Sequence, residues 1–267
     1  MSDLWSPLLP TVREDLSFTT TVPSRPDGSP RTFGGHLSSI AVAAACSSAP
    51  GCSPHSVHSM FLRPAASTVP IDGAVRVIRD GRQFSQRRVE LDQGGRRVFE
   101  ATVSLQAPRD DAPEPLPLPS PVEGVPTAEE SAGRGMPFPS TSTDEWYEQR
   151  LVAEDPLVFW ARAIAGLPRN PVACYAAIAG MTDIGLVRAA SPRAAAGVSD
   201  EYGQPRGVTL EHSLWFHRLP QADDWLLLVT DGAESEAGRA LARGRVWNAA
   251  GELCATYVQD VLSHPHA

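Results

Sequence analysis

The chain has 267 residues, of which 42% are hydrophobic and 20% charged, and its formal net charge is −8. This length fits one large domain or two small ones, and the apolar fraction suffices for a core. The acidic balance argues against a nucleic-acid partner, and the complete absence of lysine excludes Schiff-base chemistry and the phosphate-binding lysine of a P-loop.

The first part of the chain predicts one helix followed by antiparallel strands. Phe33-Gly34-Gly35 leads into LSSIAVAAAC, an alanine-rich apolar run of helical length. The sequence DQGG over residues 92–95 predicts a hairpin turn. Strand-length stretches bounded by turn residues are predicted over residues 16–22, 56–62, 73–79, 84–91 and 97–105.

The middle of the chain is rich in proline and poor in aromatic residues (PRDDAPEPLPLPSPVEGVP). Such a composition cannot bury enough apolar surface to form a core, so we predict a connector over residues 107–143 that lies along the surface. Two domains are therefore predicted, residues 1–106 and residues 144–267.

The last part of the chain repeats the order of elements seen in the first. An apolar run predicts a helix over residues 171–184, and NAAG over residues 248–251 predicts a hairpin turn. Strands are predicted over residues 208–216, 225–230, 238–247 and 253–262.

Short strings recur between the two parts. HSMF at residues 58–61 matches HSLW at residues 212–215, and ATV at residues 101–103 matches ATY at residues 255–257, both with an offset of 154 residues. The repeat indicates a duplicated unit of about 100 residues. A buried apolar helix followed by antiparallel strands is typical of a sheet wrapped around a central helix. We therefore predict an α+β fold, a tandem (double) hotdog.

The four cysteines, Cys46, Cys52, Cys174 and Cys254, form no CxxC pair and no His/Cys ligand spacing. We expect neither disulfides nor a metal site. No window reaches the roughly 18 apolar residues of a membrane span, and the N-terminal residues do not resemble a signal peptide. These features predict a cytoplasmic protein without a membrane span.

Five strings occur in one order along the chain: FGGH (33–36), HSMFLRP (58–64), RDGRQFSQRRV (79–89), EHSLWFHR (211–218) and TYVQD (256–260). They closely resemble the acyl-CoA thioesterase II family. That resemblance implies a double hotdog fold, hydrolysis of acyl-CoA to fatty acid and CoA, and no metal or cofactor. It also implies a water molecule held between Asp183, Thr209 and Gln259, the positions that match the family's site.

These three residue types suit thioester hydrolysis on chemical grounds. The reaction needs a water, a proton acceptor and donors for the developing oxyanion. Asp183 stands near the end of an apolar stretch, where burial would raise its pKa towards that of a useful base. Thr209 and Gln259 can donate and accept hydrogen bonds, which suits them to positioning water. Direct attack by water is the preferred mechanism, with a covalent intermediate on Asp183 as the competitor.

Backbone N–H groups at the predicted start of the first helix suit an oxyanion, so Gly35 and His36 are candidate oxyanion or substrate-binding residues. His58 and His212 are interpreted as structural, since no ligand partners have suitable spacing. Arginines could contact the phosphates of CoA, but pairing with acidic residues or exposure to solvent explains them equally well. The arginines considered are Arg63, Arg79, Arg87, Arg88 and Arg218.

Other functions remain open at this point. The thioester could be carried by CoA or by an acyl-carrier protein, and the chain could also be a hotdog enzyme of a specialised biosynthetic pathway. A hotdog hydratase is less well supported, because its paired Asp and His are not found after Asp183. A non-catalytic acyl-binding protein is the third possibility. Association into a homo-oligomer is possible.

Overall fold

Every strand described in the structure belongs to one antiparallel sheet of eleven strands. The computed structural model describes residues 4–109, 120–121, 124–132, 145–164, 166–190, 207–219 and 221–263. The strands are β1 (Ser17–Thr20), β2 (Ser53–Phe61), β3 (Ile71–Asp80), β4 (Phe84–Gln93), β5 (Arg96–Gln106), β6 (Tyr147–Glu154), β7 (Leu157–Ala163), β8 (Gly207–Phe216), β9 (Leu226–Glu234), β10 (Arg239–Asn248) and β11 (Leu253–Ser263). The helices are α1 (Gly34–Ser47), α2 (Ala128–Ala132), α3 (Pro171–Met181) and α4 (Leu186–Ala190).

The strand order is nearly symmetrical about the middle of the sheet. It runs β1-β3-β4-β5-β2-β8-β11-β10-β9-β7-β6, so that β2, β5 and β4 on one side correspond to β8, β11 and β10 on the other. The repeated HS strings lie at the centre: Ser59 pairs with His212, and His58 pairs with Ser213. The two strands that carry the repeat therefore join the two halves of the sheet.

Helices α1 and α3 pack against each other beneath the sheet. The Ser39 hydroxyl donates to the Ala176 carbonyl at 2.7 Å, and Gly35 lies against the Gly180 carbonyl. From the first contact to the second, the residue number falls in α1 (39 to 35) and rises in α3 (176 to 180), so the two helices run antiparallel. Helix α1 is buried along its length from Gly35 to Cys46, as expected of a helix built mainly from small and apolar residues.

The predicted elements are present, with two main differences. Helix α3 ends at Met181, so Asp183 lies in the turn after the helix. Strands β6 and β7 were not predicted; they form a hairpin at one edge of the sheet.

Among the described segments, no helix is long and apolar enough to cross a membrane.

The described end of the proline-rich connector has structure of its own. Thr127 and Glu130 form a capping box: the Thr127 hydroxyl accepts from the Glu130 N–H at 3.2 Å, and the Glu130 carboxylate accepts from the Thr127 N–H at 2.8 Å. Helix α2 follows, and Ser131 accepts from the Leu151 N–H at 2.7 Å. This part of the connector is therefore attached to β6. The remainder of residues 107–143, beyond 107–109, 120–121 and 124–132, lies outside the described residues.

Candidate active site

Asp183 lies in a tight turn that follows α3. The helix begins at Pro171 with Asn170 as its N-cap, whose side chain accepts from the Ala173 N–H at 2.9 Å. Beyond the helix, the Asp183 N–H donates to the Gly180 carbonyl at 3.2 Å. Gly185 has a φ of 76°, a conformation that suits glycine and leads the chain away. The turn leaves the Asp183 side chain only 8% exposed.

Burial raises the pKa of the Asp183 carboxyl to about 7, because a charge is costly where water is excluded. Hydrogen bonds from Gln259, from the Gly35 backbone and from Thr209 act in the opposite direction, as does the positive charge of Arg25. The balance leaves a carboxyl group that is protonated and ionised in comparable amounts at neutral pH. Such a group is suited to taking up and returning a proton.

The two glycines at the start of α1 have different tasks. A Cβ on Gly34 would lie 2.7 Å from Asp183 Oδ2 and 2.9 Å from the Phe61 ring. Gly34 therefore leaves room for the carboxylate. A Cβ on Gly35 would overlap the Gly180 carbonyl oxygen, so Gly35 permits the close approach of α1 and α3.

Thr209 reaches the site because of a β-bulge. The pairing of β8 with β11 shifts at Val261, which leaves Leu210 as an extra residue on β8. His212 faces the core, and without a bulge strict alternation would turn Thr209 to the opposite face. The extra residue restores Thr209 to the core side. Its hydroxyl then lies 3.4 Å from Asp183 Oδ1.

Gln259 lies between Thr209 and His212. Gln259 and His212 are directly opposite each other in the pairing of β11 with β8 and share the core-facing side of the sheet. Gln259 Nε2 donates to Thr209 Oγ1 at 2.8 Å, and Gln259 Oε1 lies 2.8 Å from His212 Nδ1. His212 Nε2 lies 3.1 Å from the Thr182 hydroxyl.

These contacts form a hydrogen-bonded chain with one consistent direction. Burial lowers the pKa of His212 to about 4, so the ring is neutral at pH 7. Because Gln259 Oε1 can only accept, Nδ1 carries the ring proton, and Nε2 is left as an acceptor facing the Thr182 hydroxyl, whose proton is shared with the Ala179 carbonyl at 3.2 Å. The Gln259 amide is thereby oriented with its N–H group towards Thr209, whose own proton is free to point at Asp183. Sequence reasoning missed this contribution of His212 and assigned it a purely structural role.

A cavity of about 430 Å³ opens beside Asp183 and Thr209. Within its described lining, Asp183 is the only acidic residue. The apolar walls include Leu37, Phe61, Ile184, Leu186 and Leu210, and the cationic side chains are Arg25, Arg31, Arg63 and Arg188. The cavity therefore joins an apolar surface, a carboxyl group of raised pKa and positive charge.

His36 is not brought to this cavity. Its ring is fully buried in contact with Phe33 and Trp146, and both ring nitrogens lack a partner in the described part of the chain. Burial lowers the pKa of His36 to about 3, so it is neutral at pH 7. Its backbone N–H donates to the Phe33 carbonyl at 3.0 Å, while the Gly35 N–H is directed at Asp183.

The arginines considered from the sequence are mostly elsewhere. Arg87 pairs with Asp80, Arg88 with Glu100, and Arg218 with Glu252. Arg63 is the one of the five that belongs to the described lining of the cavity. No group of three or more His, Cys, Asp or Glu side chains that could hold a metal ion occurs among the residues described above.

Comparison with known proteins identifies the family. Residues 21–106 match the family model of the acyl-CoA thioesterase N-terminal domain, and residues 105–263 match that of the acyl-CoA thioesterase C-terminal domain. The chain belongs to the acyl-CoA thioesterase II family. The resemblance seen in the sequence motifs is thus confirmed.

Individual members and structures resemble this thioesterase-family chain over almost its whole length. Acyl-CoA thioesterase 2 of Haemophilus influenzae is 26% identical, covering 98% of each chain. The tesB protein of Mycobacterium avium subs paratuberculosis is 29% identical, with a TM-score of 0.78 over 98% of this chain and 99% of its own. A hot dog fold protein of Alicyclobacillus acidocaldarius is 19% identical, with a TM-score of 0.74 and full coverage of both chains. That last likeness concerns the fold alone, which is a hotdog fold.

Proposed function

We propose that this member of the family hydrolyses acyl-CoA to a free carboxylic acid and CoA. The observation that carries the proposal is the buried carboxyl of Asp183, whose pKa is raised to about 7 and which contacts Thr209 beside a cavity with apolar walls. A thioester bound in this cavity would have its carbonyl carbon next to a carboxylate that can take a proton from an attacking water. Family membership supplies the substrate class.

In the proposed mechanism, Thr209 and Gln259 hold a water molecule next to Asp183. The carboxylate takes one proton from the water as its oxygen attacks the thioester carbon, and the carbonyl oxygen becomes an oxyanion. The carbon–sulfur bond then breaks. Asp183 returns the proton to the departing thiolate, so that one water and one thioester give one acid and one thiol.

The hydrogen-bonded chain from Thr182 supports this arrangement. We propose that His212 orients the Gln259 amide and that Gln259 in turn fixes the Thr209 hydroxyl. Fixed donors cost no reorganisation when the reaction occurs. His212 acts through Gln259, so it is a positioning residue.

For the oxyanion, Gly35 and His36 were the candidates from the sequence. Because their N–H groups already have partners in Asp183 and the Phe33 carbonyl, we propose that the N–H of Gly34 contributes instead. Gly34 lines the cavity at the first position of α1, where backbone N–H groups lack partners within the helix. In this proposal, Gly35 supports Asp183 and the ring of His36 contributes to packing.

We propose a double hotdog organisation in which residues 1–106 and 144–267 form the two units and residues 107–143 connect them. The symmetrical strand order and the pairing of the repeated HS strings at the centre of the sheet support this division. Asp183, Thr209 and Gln259 belong to the second unit, and Gly34 belongs to the first. We also propose association into a homo-oligomer and a cytoplasmic location, a reducing compartment that the four free cysteines fit.

The test is release of free thiol from a panel of short, medium, long, branched and aromatic acyl-CoAs. We expect release from at least one class, and the panel defines the acyl preference. A hydratase would change the absorbance of an enoyl-CoA without releasing thiol, and a binding protein would do neither. Absence of thiol release from every acyl-CoA, in a protein shown to be folded, would contradict the proposed function.

A further inference from the structure

Four arginines line the cavity beside Asp183, and they differ in whether their charge is neutralised. Arg25 pairs with Asp27 at 2.5 Å, and the two side chains are only 9% and 3% exposed. Arg188 pairs with Glu154 at 2.8 Å. The charges of these two arginines are therefore balanced by a neighbouring carboxylate, although the charge of Arg25 still lowers the pKa of Asp183.

Arg31 and Arg63 are exposed, and neither has an ion pair within the described residues. Arg63 is nonetheless held in place, because its Nη1 donates to the Arg97 carbonyl at 2.6 Å. The remaining N–H groups of its guanidinium can still bind an anion. Within the part of the chain that the structure describes, two positive charges without an ion-pair partner thus stand at the cavity of a chain whose net charge is −8.

The two arginines come from segments that are joined to each other. Arg31 and Ala66 form an isolated β-bridge, and the Thr32 N–H donates to the Ala65 carbonyl at 2.8 Å. The first segment continues through Phe33 to Gly34, which lies against the Asp183 carboxylate. The backbone segments that carry the two arginines are therefore fixed relative to the carboxyl group.

We propose that Arg31 and Arg63 form an anion subsite that binds the phosphates of the CoA part of the substrate. A guanidinium matches phosphate geometry and retains its charge at all relevant pH values. On an acidic protein, a local positive site also attracts an anionic substrate to the correct opening. The inference rests on the proposed function and deepens it, since it identifies which carrier of the thioester the cavity recognises.

The test compares one acyl group on four carriers: CoA, 3′-dephospho-CoA, pantetheine and acyl-carrier protein. The variants are Arg31→Gln, Arg63→Gln and the double substitution. Arg245→Gln is the matched control, because Arg245 is an exposed residue of β10 outside the described cavity lining, and its replacement removes the same charge. Steady-state thiol release gives KM and kcat for each combination.

For acyl-CoA, we expect KM to rise about tenfold in each single variant and about a hundredfold in the double variant, with kcat nearly unchanged. KM for acyl-pantetheine, which has no phosphate, should stay at the wild-type value in every variant. Added salt should raise KM for acyl-CoA in the wild type and have less effect in the double variant. The dephospho substrate shows how much of the effect belongs to the 3′-phosphate.

Equal increases in KM for acyl-CoA and acyl-pantetheine would overturn the proposal, because the arginines would then act on the part that both substrates share. The proposal would also be overturned if the double variant behaved like Arg245→Gln. A loss confined to the acyl-carrier protein would assign the subsite to the carrier and not to CoA. If the wild-type protein releases thiol from none of the four substrates, it is the proposed function that fails.

Discussion

Asp183 experiences opposing influences on its pKa, and both can be changed one residue at a time. Burial raises the pKa to about 7, whereas donors such as Thr209 lower it. If the carboxylate is the base, kcat/KM should rise with pH through an apparent pKa near 7, which belongs to the free enzyme. Measurement of kcat/KM for an acyl-CoA between pH 5 and 9 checks this expectation.

Replacing Thr209 by valine removes one hydrogen bond that stabilises the ionised form of Asp183. The acid limb of the pH profile should therefore move to higher pH, in addition to a fall in rate from the loss of water positioning. The full profile of Thr209→Val beside that of the wild type is the measurement. A limb that stays in place or moves to lower pH would show that Thr209 does not act on the Asp183 carboxyl.

His212 offers a test of orientation through a second residue. His212→Asn retains an N–H group near the position of Nδ1, whereas His212→Leu leaves the Gln259 carbonyl oxygen without its donor. We expect kcat to fall about tenfold to a hundredfold in the leucine variant and less in the asparagine variant, with KM little changed in both. Both variants lose the bond to Thr182, so their unfolding midpoints can be compared directly. A leucine variant with normal kcat would leave His212 with a structural role only.

Sequence reasoning reached Asp183, Thr209 and Gln259 through ordered motifs, and the structure brings these three side chains together. It could not reach the role of His212, because a histidine repeated in both halves suggests a structural function. The distinction between the two histidines depends on what each one faces. His58 is exposed and contacts Ser213 and Trp215, whereas His212 is buried beside Gln259.

At the scale of elements, two adjacent glycines at the start of α1 are expected to affect different properties. Gly35 is expected to affect stability, and Gly34 is expected to affect activity. Gly35→Ala would press a Cβ against the Gly180 carbonyl of α3, which cannot move without separating the helices. We expect a loss of about 1–3 kcal/mol in the free energy of unfolding. Gly34→Ala would instead meet the side chains of Asp183 and Phe61, which can shift.

The expected result for Gly34→Ala is a smaller loss of stability but a fall of about tenfold or more in kcat/KM, because the carboxylate is displaced. Urea unfolding and thiol release on both variants provide the two readouts. Equal losses of stability, with activity following stability in each variant, would contradict the separate tasks assigned to the two glycines.

The elements that were predictable are those with a clear local pattern. Apolar runs and turn residues indicated α1, α3 and most of the strands. The bulge at Leu210 could not be predicted, since it exists only in the pairing of β8 with β11. The hairpin of β6 and β7 was missed although Glu154-Asp155-Pro156 separates two strand-length stretches, the second of them strongly apolar.

At the scale of the whole molecule, the buried Asp183 makes stability depend on pH. Its pKa is about 7 in the folded chain, against an ordinary value of 3.8, so the folded state binds the extra proton between these pH values. The contribution of the Asp183 carboxyl to the free energy of unfolding is most favourable below pH 3.8 and is lost as the pH rises through 7. Asp183→Asn cannot ionise. Its stability advantage over the wild type should grow by roughly 2–3 kcal/mol between pH 5 and pH 8.

Chemical unfolding of Asp183→Asn and the wild type at both pH values measures that difference. An advantage that is equal at pH 5 and pH 8, or larger at pH 5, would mean that the carboxyl is not held at a raised pKa. The same variant then serves the test of catalysis, because a gain in stability at pH 8 shows that it is folded.

The sequence predicted a repeat, but it could not predict how the two parts that carry the repeated strings pair in the sheet. One string of four residues and one of three, with a common offset, sufficed to indicate a repeat. Strands β2 and β8 pair directly and so join the strands into one sheet of eleven. This pairing depends on contacts between residues about 150 positions apart. Local patterns carry no information about such a junction.

The most direct test of the account is the rate of thiol release from the best acyl-CoA by the wild type, by Asp183→Asn and by Asp260→Asn. Asp260 follows Gln259 on β11, and its carboxylate lies 3.5 Å from Arg239, so it is a matched acid outside the described cavity lining. We predict a loss of about 10²–10⁴-fold for Asp183→Asn and almost none for Asp260→Asn. A folded Asp183→Asn protein with the wild-type rate would contradict the assignment of Asp183 as the base.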